Sequence, residues 1–333
     1  MMIGILLGVV VWAGLLFYGD ASQTFRAMGS LDPWVLLASL ALSTLNYLIR
    51  AVRWQWLLQR VGVHIPAGES TIVFLAGLSM TLTPMKVGEL LKSVLLKQSR
   101  DISGSVTAPV VMAERITDLV ALVLLASIGS LALDRGYFVA VGGTALLAAI
   151  VSVCTVRPLG EAVLWVCERT PLVKRQIGRL RNAYDHLGTL VSPAPFMLSS
   201  GLSVLAWGAQ CIALMLLVDA YPGASLSVEG SFLAYSMPLL AGILSMLPGG
   251  LGLTEASMTG LVQELGGAGM TAAIAASTTI LCRLVTFWWA IAVGIATLAY
   301  WRRHYARSGE DPRLADTSIL ETNGDTGGAV DAR

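Results

Sequence analysis

Six apolar stretches, at residues 2–18, 33–49, 119–133, 138–156, 195–218 and 272–300, constrain this chain more than any other feature. A bilayer's hydrocarbon core of about 30 Å takes roughly 20 residues of helix to cross, and most of these stretches approach that length. Strands of a membrane barrel show only short alternating patterns, so the stretches read as helices. Charged residues make up 13% of the chain and hydrophobic ones 55%, against about 25% charged in a soluble protein. The expected fold class is therefore all-α, a polytopic membrane helix bundle with about six full spans. Residues 2–18 lack the basic lead-in of a secretory signal, and no A-x-A-like site follows them. They are expected to remain as the first span.

Lys and Arg near span ends set orientation. Arg50, Arg53 and Arg60 follow the second stretch, Arg157 to Arg181 follow the fourth, and Arg302, Arg303 and Arg307 follow the last. These clusters are expected in the cytoplasm, together with both termini. The connections carrying Asp20, Arg26 and Asp32, then Asp134 and Arg135, then Asp219 and Glu229 are expected outside.

Two further apolar segments are broken. Residues 71–96 are interrupted by TPMKVGE at 83–89, and residues 231–265 by LPGGLGLTE at 247–255. If each crossed once, the basic clusters would lie on opposite sides. If each dips in and returns, all clusters share one side. Backbone freed by Pro and Gly in such a break cannot face lipid, so it must be buried or line a wet cavity. Two re-entrant helical hairpins are expected, turning at Thr83, Pro84 and Gly88 in the first and at Pro248, Gly249, Gly250 and Gly252 in the second.

The broken segments resemble each other. Leu75-Ala76-Gly77 precedes Pro84, Gly88 and Glu89, and Leu240-Ala241-Gly242 precedes Pro248, Gly252 and Glu255. A span with one arginine near its start follows each, Arg115 in the first half and Arg283 in the second. The shared order with opposite expected orientation is the sign of an inverted repeat, with halves at about 33–133 and 195–300 and the substrate site between them.

Ionisable groups at membrane depth are costly and default to a functional role. The candidates are Lys86, Glu89, Glu114, Arg115, Asp118, Glu255 and Arg283. Glu114 and Asp118, four apart, share a helix face, with Arg115 about a third of a turn away. One reading has Arg115 pairing with Glu89 or Asp118 to staple the bundle. The other has Arg115 and Arg283 binding a phosphate, which the planar guanidinium suits, aided by helix N-termini after Pro84 and Pro248. Arg50, Arg53 and Trp54 fit ordinary interfacial anchoring at a span end, with an entry role for head groups as the lesser reading.

Residues 157–194 carry an amphipathic stripe through Val173, Ile177, Leu180, Tyr184, Leu187 and Val191, with basic residues largely off it. This segment is expected on the inner membrane face or against the cytoplasmic ends of the bundle. Residues 306–333 are polar, lack an apolar period and read as a disordered cytoplasmic tail. Cys154, Cys167, Cys211 and Cys282 have no metal-ligand spacing, and no cofactor is expected. A net charge of +1 implies no bulk attraction to nucleic acid. Gly142 and Gly143 permit helix association, so a homo-oligomer is an open possibility.

At these motifs the sequence resembles the transmembrane region of lysylphosphatidylglycerol synthases and their stand-alone flippase-like relatives. The resemblance rests on TPMKVGELLK (83–92), ER-x-x-D (114–118), PGGLGLTEAS (248–257) and Arg283, and covers roughly residues 1–305. It implies a bacterial cytoplasmic membrane protein that moves a phospholipid, aminoacyl-phospholipid, hopanoid or polyprenyl-linked lipid between leaflets. No synthase domain is seen. Lys86, Arg115 and Arg283 would hold the head group, while Glu89, Glu114, Asp118 and Glu255 would support them or take up a coupling proton. No nucleotide-binding motif occurs, so an ion gradient or mass action would drive transport. Two alternatives remain: a non-catalytic partner of lipid or envelope biosynthesis enzymes, and an intramembrane lipid-glycan transferase.

Overall fold

The computed structural model describes residues 2–83, 89–131, 137–155, 187–188, 190, 192–245 and 247–305. Lys86, Pro84 and Gly88, most of the amphipathic segment and the C-terminal tail lie outside them. The described residues are helical throughout their regular elements. In chain order these are α1 (Met2–Tyr18), α2 (Ala21–Gly29), α3 (Pro33–Arg60), α4 (Ala67–Gly77), α5 (Leu91–Arg100), α6 (Gly104–Leu131) and α7 (Tyr137–Thr155). They continue with α8 (Pro193–Asp219), α9 (Val228–Leu244), α10 (Leu253–Leu265), α11 (Ala272–Arg283) and α12 (Trp289–His304). A single π turn, Leu284–Trp288, joins α11 to α12, making one helix over Ala272–His304.

The described residues of each of the six apolar stretches fall on a helix. Among the described residues, three helices are long and apolar enough to cross a membrane by length and composition: α3, α8 and α11–α12. The bent pair α1–α2, turned by 96°, makes a fourth if counted as one span. Helix α7 adds an uncharged apolar helix of 19 residues. Helix α6 has 28 residues, but Glu114, Arg115 and Asp118 sit in its middle. The expected span at 119–133 is thus only the second half of a helix that begins at Gly104.

Chain stops and starts follow local chemistry. Asp20 caps α2 by accepting the Ser22 and Gln23 backbone N–H groups, and Asp32 caps α3 through the Trp34 N–H at 2.9 Å, with Pro33 at the first helical position. Large apolar side chains such as Phe17, Trp34, Val52, Leu131, Leu205 and Leu244 point outward and are more than half exposed. An apolar surface of that extent belongs to lipid or a partner rather than to water.

The two broken segments form helical hairpins, α4 with α5 and α9 with α10. At 1.5 Å per residue, the 11 residues of α4 and 13 of α10 reach about 17 and 20 Å, short of the membrane core. Glycine lets each hairpin close. A Cβ at Gly77 would meet Lys92 Cγ of the returning arm at 2.6 Å, and one at Gly242 would overlap the Thr254 hydroxyl and approach the Gly250 Cα at 3.2 Å. These are the matching glycines of the two Leu-Ala-Gly motifs.

The halves also trade contacts. Helix α4 packs on α12, and in return α9 packs on α6. The corresponding helices α3 and α8 lie side by side along most of their length. Their polar contacts pair Ser39 with Ala213, Ser43 with Gln210, Asn46 with Ala206 and Arg53 with Ser203. Numbers rise on one helix as they fall on the other, so α3 and α8 run antiparallel. Arg115 is the twelfth residue of α6, and Arg283 is the twelfth of α11. Both arginines are therefore well inside their helices, not near their starts as the sequence suggested.

Candidate functional site

A cavity of about 360 Å³ opens where the halves meet, lined from α3, α6, α8, α9, the tips of both hairpins and the π turn. Among the described residues, three cations reach its wall: Arg50, Arg115 and Arg283. Behind them lies a buried charge network in the first half. Arg115 Nη2 is 2.8 Å from Glu89 Oε2 and 3.1 Å from Asp118 Oδ2. Arg50 Nη2 lies 3.5 Å from Asp118 and 4.0 Å from Glu89. Arg53, fully buried, donates to Asp118 Oδ1 at 2.7 Å, approaches Glu114 Oε1 at 3.5 Å and reaches across to Ser203 on α8. Lys92 pairs with Glu114 and sits 3.7 Å from Glu89.

The helix geometry explains this sorting. Glu114 and Asp118 sit on one face of α6 and meet α3, while Arg115, one residue along, turns toward the cavity with about a fifth of its side chain exposed. Aromatic rings support the cations from behind. Lys92 Nζ lies 4.5 Å from the Trp54 ring centre and 4.9 Å from that of Phe74, and the Arg50 guanidinium lies 5.4 Å from that of Trp207.

The second half is simpler. Arg283 Nε donates to Glu255 Oε1 at 2.6 Å, its Nη2 donates to the Gly249 carbonyl at 3.2 Å, and its guanidinium stacks 4.2 Å from the Phe287 ring centre. Glu255 Oε2 also accepts the Gly252 backbone N–H at 2.7 Å, capping α10. That N–H, expected to serve a phosphate, is already engaged. Gly249, Gly250 and Gly252 all adopt positive φ, the conformation for which this PGG turn requires glycine.

Of the residues singled out from the sequence, the structure brings Glu89, Glu114, Arg115 and Asp118 into one network and Glu255 with Arg283 into a second. Both arginines face the same cavity. The anchoring role expected for Arg50, Arg53 and Trp54 does not hold. All three are buried, because this face of α3 turns into the bundle and finds carboxylates there. Lys92 was inside a quoted motif but not singled out. Its position three residues after Glu89 was the available signal. Gly143 packs against Val123 and Ser127 of α6 within the chain, whereas Gly142 has open space around it. At the end of the amphipathic segment, Leu190 is buried in the core around Trp301, with Leu187 packed against it.

Among the described residues, five cations (Arg50, Arg53, Lys92, Arg115, Arg283) meet four carboxylates (Glu89, Glu114, Asp118, Glu255), a net charge of +1. Arg50 Nε and Arg115 Nε carry no hydrogen bond among the described residues, while Arg50 Nη2 and Arg115 Nη2 meet their carboxylates as ion pairs. Within the described residues, no group of three or more His, Cys, Asp or Glu is placed to hold a metal ion. The arrangement can bind an anion whose remaining bulk is apolar.

The comparisons agree with a membrane role. The chain is 28% identical to a UPF0104 membrane protein of Methanothermobacter thermautotrophicus, covering 87% of this chain and 88% of that protein. It is 24% identical to a UPF0104 membrane protein of Pyrococcus horikoshii, covering 85% and 92%. A protein of Haloferax volcanii named glycosyltransferase AglD is 26% identical over 82% of this chain, but only 50% of its own length is matched. The family described as the lysylphosphatidylglycerol synthase TM region matches residues 3–294, and this multi-pass membrane protein belongs to it.

Proposed function

We propose that this protein binds the anionic head group of a lipid between two inverted repeats and carries it from one leaflet to the other. The observation that carries the reading is the cavity at the junction of the halves, where three buried or partly buried arginines converge from α3, α6 and α11. Its apolar edge supports a path for acyl chains, since Leu90, Met112 and Leu247 line the cavity and are partly exposed. The antiparallel α3–α8 pair and the exchanged hairpin contacts support halves related by an axis in the membrane plane, the arrangement in which a central site is opened alternately to each side. The positive-inside pattern supports cytoplasmic termini in a cell membrane.

The test is native mass spectrometry and leaflet-exchange of a fluorescent anionic phospholipid in proteoliposomes, comparing wild type with Arg115→Ala/Arg283→Ala. The wild type should hold one anionic lipid and accelerate exchange, and the variant should lose both. A folded variant that transports normally overturns the reading.

The Haloferax relative, whose matched region is half of a protein named a glycosyltransferase, favours a second reading, a membrane partner in a lipid-glycan pathway. It predicts that variants lacking both arginines still rescue a deletion phenotype.

A further inference from the structure

We propose that the head group accepted by this cavity carries a neutral polyhydroxylated unit, a sugar or polyol, next to its phosphate, and that it carries no amine. The inference rests on the anionic-lipid reading above and names the class of lipid.

The first observation is a pair of divided amides. Asn46 on α3 and Gln210 on α8 line the cavity and are almost wholly buried. Each uses one end of its amide to join the two helices. Asn46 Nδ2 donates to the Ala206 carbonyl at 2.7 Å, and Gln210 Oε1 accepts from the Ser43 hydroxyl at 3.2 Å. The opposite ends, an acceptor on Asn46 and a donor on Gln210, make no hydrogen bond to the described residues, and both residues line the cavity. A hydroxyl both donates and accepts, so neighbouring hydroxyls of a sugar or polyol would satisfy both ends. The rings of Trp207 and Tyr235, with centres 6.5 Å apart, lie in the same wall. They add aromatic surface to the wall beside the two amides, of the kind that packs against the C–H side of a sugar ring.

The second observation is that, among the described residues, no carboxylate is left for an amine. Glu89 and Asp118 are the carboxylates lining the cavity, and Arg115 holds both, at 2.8 and 3.1 Å. Glu114 and Glu255 lie behind, paired with Lys92 and Arg53 and with Arg283. An ammonium entering beside Arg50 and Arg115 would meet like charge without a free counter-ion, an arrangement that costs rather than contributes. A lysyl or ethanolamine head group is thereby disfavoured, although the family is described by a lysyl-lipid synthase.

The experiment uses the purified full chain in detergent, incubated with an equimolar mixture of phosphatidylinositol, phosphatidic acid and phosphatidylethanolamine bearing identical acyl chains. Retained lipid is read by native mass spectrometry. Phosphatidylinositol should exceed phosphatidic acid by about tenfold, as expected from two net hydrogen bonds, and phosphatidylethanolamine should be held least. In Asn46→Leu/Gln210→Met the advantage should shrink to about twofold or less. Undiminished phosphatidic acid binding would show that the variant is folded with its phosphate site intact. Gln210→Met alone, which keeps the side-chain length, should fall between the two. Equal retention of phosphatidylinositol and phosphatidic acid by wild type, or a preference for phosphatidylethanolamine, overturns the inference. The anionic site itself still stands if Arg115→Ala/Arg283→Ala loses phosphatidic acid. If that arginine variant retains all three lipids as wild type does, the anionic-site reading fails and this one with it.

Discussion

Replacing Arg53 by Met should destabilise the bundle while replacing Arg50 by Met should leave it standing but weaken lipid binding, although the two arginines lie one turn apart on α3. Methionine keeps the unbranched apolar stem of either side chain and removes the guanidinium, so the stem's packing changes little. Arg53 is fully buried, donates to Asp118 at 2.7 Å and Thr117 at 3.2 Å, and is the nearest cation to Glu114 Oε1 and Asp118 Oδ1. Its removal leaves those two oxygens without their cation. Breaking a buried pair costs about 3–5 kcal/mol. Because Lys92 still holds the other oxygen of Glu114, and Arg50 and Arg115 the other oxygen of Asp118, the lower end, about 3 kcal/mol, is expected. Arg50 approaches its carboxylates only at 3.5 and 4.0 Å, and both retain Arg115. Its loss should cost less than about 1 kcal/mol but remove one of three cavity cations, lowering anionic-lipid retention at least about tenfold. Equilibrium unfolding in mixed micelles with rising SDS, followed by tryptophan fluorescence, gives the stability difference, and native mass spectrometry gives retention. Equal stability losses in the two variants, or an Arg53→Met protein as stable as wild type, would refute this division of labour.

Three further outcomes follow from packing. Gly294→Ala on α12 would place a Cβ against the backbone of Leu78 and Ser79, so it should cost about 1–3 kcal/mol in the same unfolding assay. Gly142→Ala on α7, with nothing within 4 Å, should be neutral or mildly stabilising, by up to about 1 kcal/mol. Cys211 and Cys282 are both fully buried. In a background lacking Cys154 and Cys167, neither should react with a maleimide in intact micelles until SDS unfolds the bundle. Rapid labelling of native protein would contradict the packing of α8 against α11.

The apolar stretches foretold helices because burial in lipid leaves the backbone no other economical arrangement. The boundaries of α6 were not visible in the same way. Hydropathy falls at Glu114, Arg115 and Asp118, and only the positions of Arg50, Arg53 and Lys92 show why a helix can carry three charges there. The break motifs and their glycines were legible, since Gly77 and Gly242 answer the same close approach of a returning arm. Arg50 and Arg53 were misread because arginines beside tryptophans at a span end look alike whether they face out to head groups or inward. Only the partner face on α6 decides, and partners distant in sequence leave no local mark. The divided amides of Asn46 and Gln210 were equally silent, being two ordinary polar residues until α3 and α8 are laid side by side.

A seven-member charge network is a poor device for merely holding helices together. Each ion removed from water incurs a penalty of several kcal/mol, and well-packed apolar residues of similar volume often stabilise as well or better. The α3–α8 contact already shows how the chain joins helices cheaply, through small residues, serines and amide-to-carbonyl bonds. Among the described residues, the second half manages its own hairpin with the single pair Arg283–Glu255. If stapling were the purpose of Glu89, Glu114 and Asp118, one such pair would have sufficed in the first half too. What three carboxylates and four cations achieve that one pair cannot is to hold Arg50 and Arg115 together at the cavity wall with an excess positive charge around them. That argues for a network kept to present charge to a ligand rather than to add stability.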